Sequence, residues 1–188
     1  MTTTTGTSVT ESEKRASLPY RDCVGIALFS RAGDVFVARR ITDGGPDTSE
    51  VASPWQMPQG GIDPGEDPLV AARRELLEET SVRQVRLLAA APEPIFYDLP
   101  DLVLGVALGG RYRGQRQLWY ALLHEGPESE IDLAVPSLPD CRPEFDAWRW
   151  ERLEALPDLV VSFKRDAYRK VVEAFHDLPA RIREAEGT

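Results

Sequence analysis

The stretch GGIDPGEDPLVAARRELLEETSV, Gly60 to Val82, constrains the fold more than any other part of the chain. A glycine-rich turn leads into Asp67-Pro68, a strong helix start. Aspartate accepts the first free N–H groups of a helix, and proline is tolerated at its first position. The helix is expected from Pro68 to about Glu79. With Glu75 set at zero and about 100° per residue, Glu79 falls at about +40°, Glu78 at about −60° and Ala71 at about −40°. Leu69, Ala72, Leu76 and Leu77 occupy the opposite arc. One side must pack on another layer, while the other gathers like charge. Such pairs cost roughly a few tenths of a kcal/mol each unless something relieves them. A hard divalent cation would do so, because it takes oxygen ligands. The bland alternative is a solvated helix whose Arg-Glu pairs decorate a surface. The lead-in loop favours the cation. Gly60, Gly61 and Gly65 permit close backbone approach, and Glu66 stands at the loop's end.

The rest of the chain supplies strands. CVGIALFS reads as a buried strand, Gly33-Asp34 as a turn, and VFVARR as the second arm of a hairpin. Ile41–Pro54 is a polar loop, and WQMPQGG returns to extended chain. VRLLAAAPEPIFYDLP reads as strand, turn and strand, whereas LVLGVALGGRYRG has no clear pattern. QRQLWYALLHE and EFDAWRWE are strands. Ser162 is positioned to cap a last helix, with Phe163, Ala167, Val171 and Phe175 as its apolar face. Without regular β-α-β alternation, a mixed α+β sandwich is preferred to a doubly wound sheet. The expected layout is a disordered tail over residues 1–19, one domain over 20–180 and a C-terminal tail over 181–188.

Charge narrows the function. A net charge of −9 argues against a general nucleic-acid coat, since nonspecific binding neutralises phosphates with a positive surface. Local basic spots remain at Arg39-Arg40, Arg111/Arg113/Arg116 and Lys164-Arg165. They suit a small or terminal polyphosphate better than a long duplex. Cys23 and Cys141 form no C-x-x-C pair, so a disulfide framework or zinc site is not expected. With only His124 and His176, a histidine-based metal site is not expected either. The Thr- and Ser-rich N-terminus is no signal peptide, and no stretch approaches 18 apolar residues, so no membrane span is expected. A cytoplasmic location follows as the expectation.

Gly60, Glu66, Arg74, Glu75, Leu76, Glu78, Glu79 and Val82 fall in register with the Nudix box, G-x5-E-x7-R-E-U-x-E-E-x-G-U, where U is a bulky aliphatic residue. Ser81 stands where that pattern has glycine. Beyond the box, YRDCVGIALF, WQMPQGGIDPGE, GQRQLWYALL, PEFDAWRW and VVSFKRDAYRKV resemble the bacterial RNA pyrophosphohydrolase branch, which includes (di)nucleoside polyphosphate hydrolases. The similarity runs from about Tyr20 to Phe175. The loop Thr42–Ser53 and LAVPSLPDCR before Pro143 look longer than usual for that branch, and Asp22-Cys23 departs from its Pro-Asn.

The resemblance implies a Nudix α/β/α sandwich with a mixed sheet and a loop-helix-loop catalytic motif. It implies hydrolysis of a phosphoanhydride bond with Mg²⁺ or Mn²⁺, on triphosphorylated RNA 5′ ends or dinucleoside polyphosphates. Glu75, Glu78 and Glu79 are then metal ligands, one of which, or a neighbouring carboxylate, takes the proton of the attacking water. Glu144 matches an extra ligand from outside the helix; otherwise it is a solvent-facing strand residue. Glu66 and Arg74 form a structural ion pair. Arg40 suits a phosphate clamp, or is a surface arginine on an edge strand. Arg21, Tyr97, Phe163 and Lys164 match RNA 5′-end contacts, although Phe163 equally fits the apolar helix face. The four tryptophans read mainly as core. Two other functions stay open: a hydrolase of free modified nucleoside triphosphates, and a binding domain without turnover. All four box glutamates are present, which disfavours the second.

Overall fold

The computed structural model describes residues 15–41, 55–134 and 143–187. The loop Thr42–Ser53, most of the segment before Pro143, Cys141 and residues 1–14 lie outside the described residues. Eight strands are described: β1 Tyr20–Phe29, β2 Val35–Arg40, β3 Trp55–Gln56, β4 Gln59–Gly61, β5 Val85–Ala90, β6 Ile95–Asp98, β7 Gly114–His124 and β8 Phe145–Glu151. Four α-helices accompany them: α1 Pro68–Thr80, α2 Leu156–Leu159, α3 Arg165–Phe175 and α4 Leu178–Glu186.

The longest apolar runs make the centre. β1 and β7 lie parallel, in register from Tyr20↔Gly114 to Phe29↔Leu123. Strands buried on both faces need continuous apolar sequence, which both runs supply. β5 and β6 pair antiparallel with β7, and β4 pairs antiparallel with β1. β2 meets β1 only at Phe29↔Val35 and then runs beside β3 and β8. The hairpin reading of β1 and β2 therefore holds at its turn, and β2 diverges to build a second edge.

Helices cover both faces of this mixed sheet, giving the expected α/β/α sandwich. α1 lies over Val24, Ile26, Leu28, Phe36 and Leu122. The other face carries Ala27, Phe29, Val37, Trp119 and Leu123 against Tyr168, Val171, Phe175 and Ile182. Burying each large apolar side chain there stabilises the fold by about 1.5–3 kcal/mol.

Three expectations change. Residues 181–186 are not a tail but the last six of the nine residues of α4, because Ile182 gives that part an apolar anchor in the core. Residues 15–19 are not all tail either. Arg15–Ser17 make a helical turn, and the Arg15 guanidinium meets Asp101 at 2.5 Å. The last long helix opens with a 3₁₀ turn over Ser162–Lys164, so Lys164 rather than Ser162 stands at the N-cap position of α3.

Candidate active site

α1 is fixed at both ends by its own sequence. Asp67 Oδ1 accepts from the N–H groups of Leu69 at 2.9 Å and Val70 at 3.1 Å. At the exit Ser81 takes a left-handed backbone with φ 64°, and its N–H donates to Leu77 O at 2.9 Å. Glycine adopts that conformation without cost; a serine does not. Here Ser81 Oγ donates to Asp132 O at 3.1 Å, and Asp132 N–H donates to Thr80 O at 3.0 Å. The Glu130 carboxylate accepts from the N–H groups of Arg83 and Gln84. The loop after β7 thus clasps the helix exit.

The charged face of α1 turns toward β4 rather than toward open solvent. A Cβ on Gly60 would lie 1.8 Å from the Glu75 carboxyl carbon, so only glycine admits Glu75 there. Arg74 ties the loop to the helix. Its guanidinium donates to Glu66 Oε1 at 2.9 Å and Oε2 at 2.8 Å, and to Gly61 O at 2.9 Å. It also donates to Glu75 at 2.8 Å and Glu78 at 3.3 Å. This bidentate contact holds the Glu66 carboxyl down at about 2.

Glu75 and Glu79 lie deeper. Burial raises both, and Glu79 is pushed well above the usual carboxylate range, with the Glu144 and Glu75 charges adding to the effect. One backbone donor, Gln59 N–H at 3.2 Å, opposes this at Glu79. Glu144 pairs with Arg40 at 3.6 Å, and its carbonyl accepts from Ile41 N–H at 2.8 Å. The structure therefore brings Glu75, Glu79 and Glu144 together, while Arg74 draws Glu78 toward itself. Among the described residues, no three acidic, His or Cys side chains stand close enough to chelate an ion as they lie. Glu75, Glu78 and Glu144 take guanidinium partners instead, and Glu79 takes the Gln59 N–H. The donor set is all hard oxygen, and its innermost carboxyl sits among like charges. Both features fit a hard divalent cation.

Beside these carboxylates opens a cleft of about 120 Å³, lined by Arg40, Gln56, Gln59, Tyr97, Leu108, Gln115, Phe163 and Lys164. Four of the five expected substrate contacts meet in it. Tyr97 and Phe163 touch, with ring centroids 5.8 Å apart, and Lys164 Nζ sits 5.5 Å from the Tyr97 ring centre. Phe163 is half-buried, packs against the core as its place on the apolar face predicts, and also lines the cleft. Arg21 is the exception. It does not line the cleft; its guanidinium lies against Gly61, where a Cβ would be 2.3 Å from Nη2.

The glutamines were missed. Gln117 Nε2 donates to Gln59 at 3.0 Å and Gln115 at 2.9 Å, and Trp119 Nε1 donates to Gln117 Oε1 at 3.0 Å. Their signal was the alternation of Gln115 and Gln117 into a buried strand, where a polar residue needs partners. Trp119 is core as expected, whereas Trp55 is half-buried with the Arg149 guanidinium 4.3 Å from its ring centre. Cys23 is a buried free thiol, pushed up to about 11 by burial.

Among the described residues, no helix is long and apolar enough to cross a membrane. Residues 19–172 match the NUDIX domain family. The chain is 52% identical over 165 residues to an RNA pyrophosphohydrolase of Rhodopseudomonas palustris (strain HaA2), covering 88% of this chain and 96% of that protein. It is 53% identical over 161 residues to an RNA pyrophosphohydrolase of Rhizobium meliloti (strain 1021), covering 86% and 96%. The fold is similar to that of E. coli dihydroneopterin triphosphate pyrophosphohydrolase, with a TM-score of 0.55 at 20% identity, covering 82% of this chain and 98% of that one. That likeness concerns the fold alone. With the box in register on α1 and the sandwich around it, the chain belongs to the Nudix family.

Proposed function

We propose that this chain is a metal-dependent pyrophosphohydrolase that releases pyrophosphate from 5′-triphosphorylated RNA, with dinucleoside polyphosphates as the companion substrate. One observation carries the reading: the half-buried carboxylates of Glu75 and Glu79, with the exposed Glu144 paired to Arg40, adjoin a cleft that offers Arg40 and Lys164 beside the rings of Tyr97 and Phe163. Relatives about half identical to this chain are RNA pyrophosphohydrolases, which agrees with it.

The roles follow from chemistry. Glu75, Glu79 and Glu144 would hold Mg²⁺ or Mn²⁺, with Glu78 joining when Arg74 lets go. The ion, when bound, neutralises phosphate oxygens and makes water a stronger nucleophile. Arg40 fits the phosphates bidentately, and Lys164 adds a second positive charge. Tyr97 and Phe163 offer aromatic surface to an unpaired base. Arg21 would reach the substrate only by leaving Gly61. Glu66 and Arg74 hold loop and helix in place. One glutamate takes the proton from the attacking water, and a Glu→Gln series compared by pH profile identifies it. The location consistent with this substrate is the cytoplasm.

The test is a substrate panel with Mg²⁺ or Mn²⁺: triphosphorylated RNA, diadenosine tetraphosphate and free modified triphosphates. The proposal expects the highest kcat/KM on RNA ends. A higher value on free triphosphates would favour a nucleotide-pool hydrolase, and no phosphate product from any of them would leave only a binding domain.

A further inference from the structure

Four buried side-chain polar atoms among the described residues lack a hydrogen-bond partner: Arg15 Nη1, Gln56 Nε2, His124 Nε2 and Glu130 Oε2. His124 and Glu130 face each other at 3.5 Å, and Arg15 Nη1 faces Asp98 at 3.8 Å. Both pairs can therefore satisfy themselves by a small shift. Gln56 has no such neighbour. It is 3% exposed, and it lines the cleft. Its amide oxygen faces Lys164 Nζ at 3.5 Å. An ammonium has donors only, so it holds the amide oxygen toward itself and turns Nε2 away. A buried donor left without an acceptor destabilises the fold, and one on a residue that lines a cleft can be satisfied by a group bound there.

We infer that Gln56 is a further substrate-positioning residue whose Nε2 donates to an acceptor atom of the bound substrate. The inference rests on the proposed reading of the cleft as the substrate site. The sequence places Gln56 for this task. β3 pairs Gln56 with Ala38 of β2, two positions before Arg40, which lines the same cleft. Met57 N–H is tied to Tyr168 Oη at 3.0 Å, which anchors the backbone beside it. A substrate phosphate drawing Lys164 toward itself would free the amide to meet the incoming acceptor. That acceptor is a phosphate oxygen or a carbonyl or ring nitrogen of the base; either presents a lone pair to an N–H.

The experiment compares wild type with Gln56→Leu and Gln56→Glu. Gln56→Glu keeps the length of the glutamine side chain, Gln56→Leu is one atom shorter and adds no charge, and both lose the amide donor. Binding of GTP and of inorganic tripolyphosphate is titrated without turnover, and KM and kcat are measured on triphosphorylated RNA. The expected result is a rise of roughly tenfold in Kd and KM in both variants, with a smaller change in kcat and no loss of melting temperature. In the uncharged variant Gln56→Leu, a matching loss for tripolyphosphate assigns the acceptor to phosphate; unchanged tripolyphosphate binding with weakened GTP assigns it to the nucleoside. If Gln56→Leu melts higher and both variants bind within twofold of wild type, the inference is overturned. A wild type that binds these ligands but hydrolyses none would instead defeat the proposed reaction, while the binding comparison still decides on Gln56.

Discussion

The two helical faces of the sheet solve opposite problems. α3 buries Ala167, Tyr168, Val171 and Phe175, and its opposite side is polar, so apolar area holds it down. α1 buries only Ala71, Ala72, Leu76 and Thr80, which are small for a helix of 13 residues. Its hold comes instead from the Asp67 cap, the Arg74 contacts and the space left by Gly60. The difference teaches where function resides. A helix anchored by large apolar groups has no room for buried carboxylates. A helix anchored by polar contacts can point them inward, at the expense of packing.

Substitutions that cross the two regimes should separate activity from stability. Glu79→Gln should give the largest effect, a loss of roughly 10²–10³ in kcat/KM, because the innermost carboxylate becomes a neutral amide. Its urea midpoint should not fall, since the change removes a buried like charge. Chelation of divalent ions should abolish wild-type turnover, and adding Mn²⁺ should raise the melting temperature of wild type but not of the variant. Near-normal turnover in Glu79→Gln would erase the contrast between the faces.

On the other face, Phe175→Ala should cost about 3–4 kcal/mol in denaturant unfolding and leave kcat per folded molecule unchanged. A matching drop in kcat would mean that α3 shapes the site directly. Gly60→Ala should affect both properties. The added Cβ meets the Glu75 carboxyl, so roughly 1–3 kcal/mol of stability and about tenfold in activity should go together.

Acid titration probes the Arg74 contacts. Arg74 depresses the Glu66 carboxyl to about 2, so its contribution is present above the ordinary carboxylate value and is lost as pH falls toward about 2. Wild type should therefore lose more stability than Arg74→Gln over that range; parallel acid curves would show that the contacts do not anchor the loop. The smallest effect is expected at the helix exit. Ser81→Gly relieves the left-handed backbone but gives up the Asp132 contact, for a net gain below about 1 kcal/mol in unfolding free energy.

Much of this was legible in the sequence, for identifiable reasons. The Asp67-Pro68 start, the apolar run of β1 and the repeat of Ala167, Val171 and Phe175 are local signals, and each element lies where they place it. The angular count set Glu75, Glu78 and Glu79 on one face, but it left that face toward solvent. The packing of Glu75 on Gly60 depends on β4 crossing beneath the helix, and a helical wheel carries no such information. α4 was missed because its apolar content is reduced to Leu178, Pro179 and Ile182, too sparse to stand out. Gln56 was missed because a lone glutamine signals nothing until its surroundings are known to be dry.

The parallel pairing of β1 with β7 has a kinetic consequence. Its partners are separated by about ninety positions, so closing that pair means ordering a long stretch of chain before the contact repays it. β4, which receives Glu75 and Glu79, is hydrogen-bonded to β1 alone among the described strands. Helix α1 can form early from its local signals, yet its carboxylates acquire their setting only once the distant halves have met. Recovery of activity after dilution from urea should therefore trail recovery of helical circular dichroism, and the interval measures the closing of the central pair.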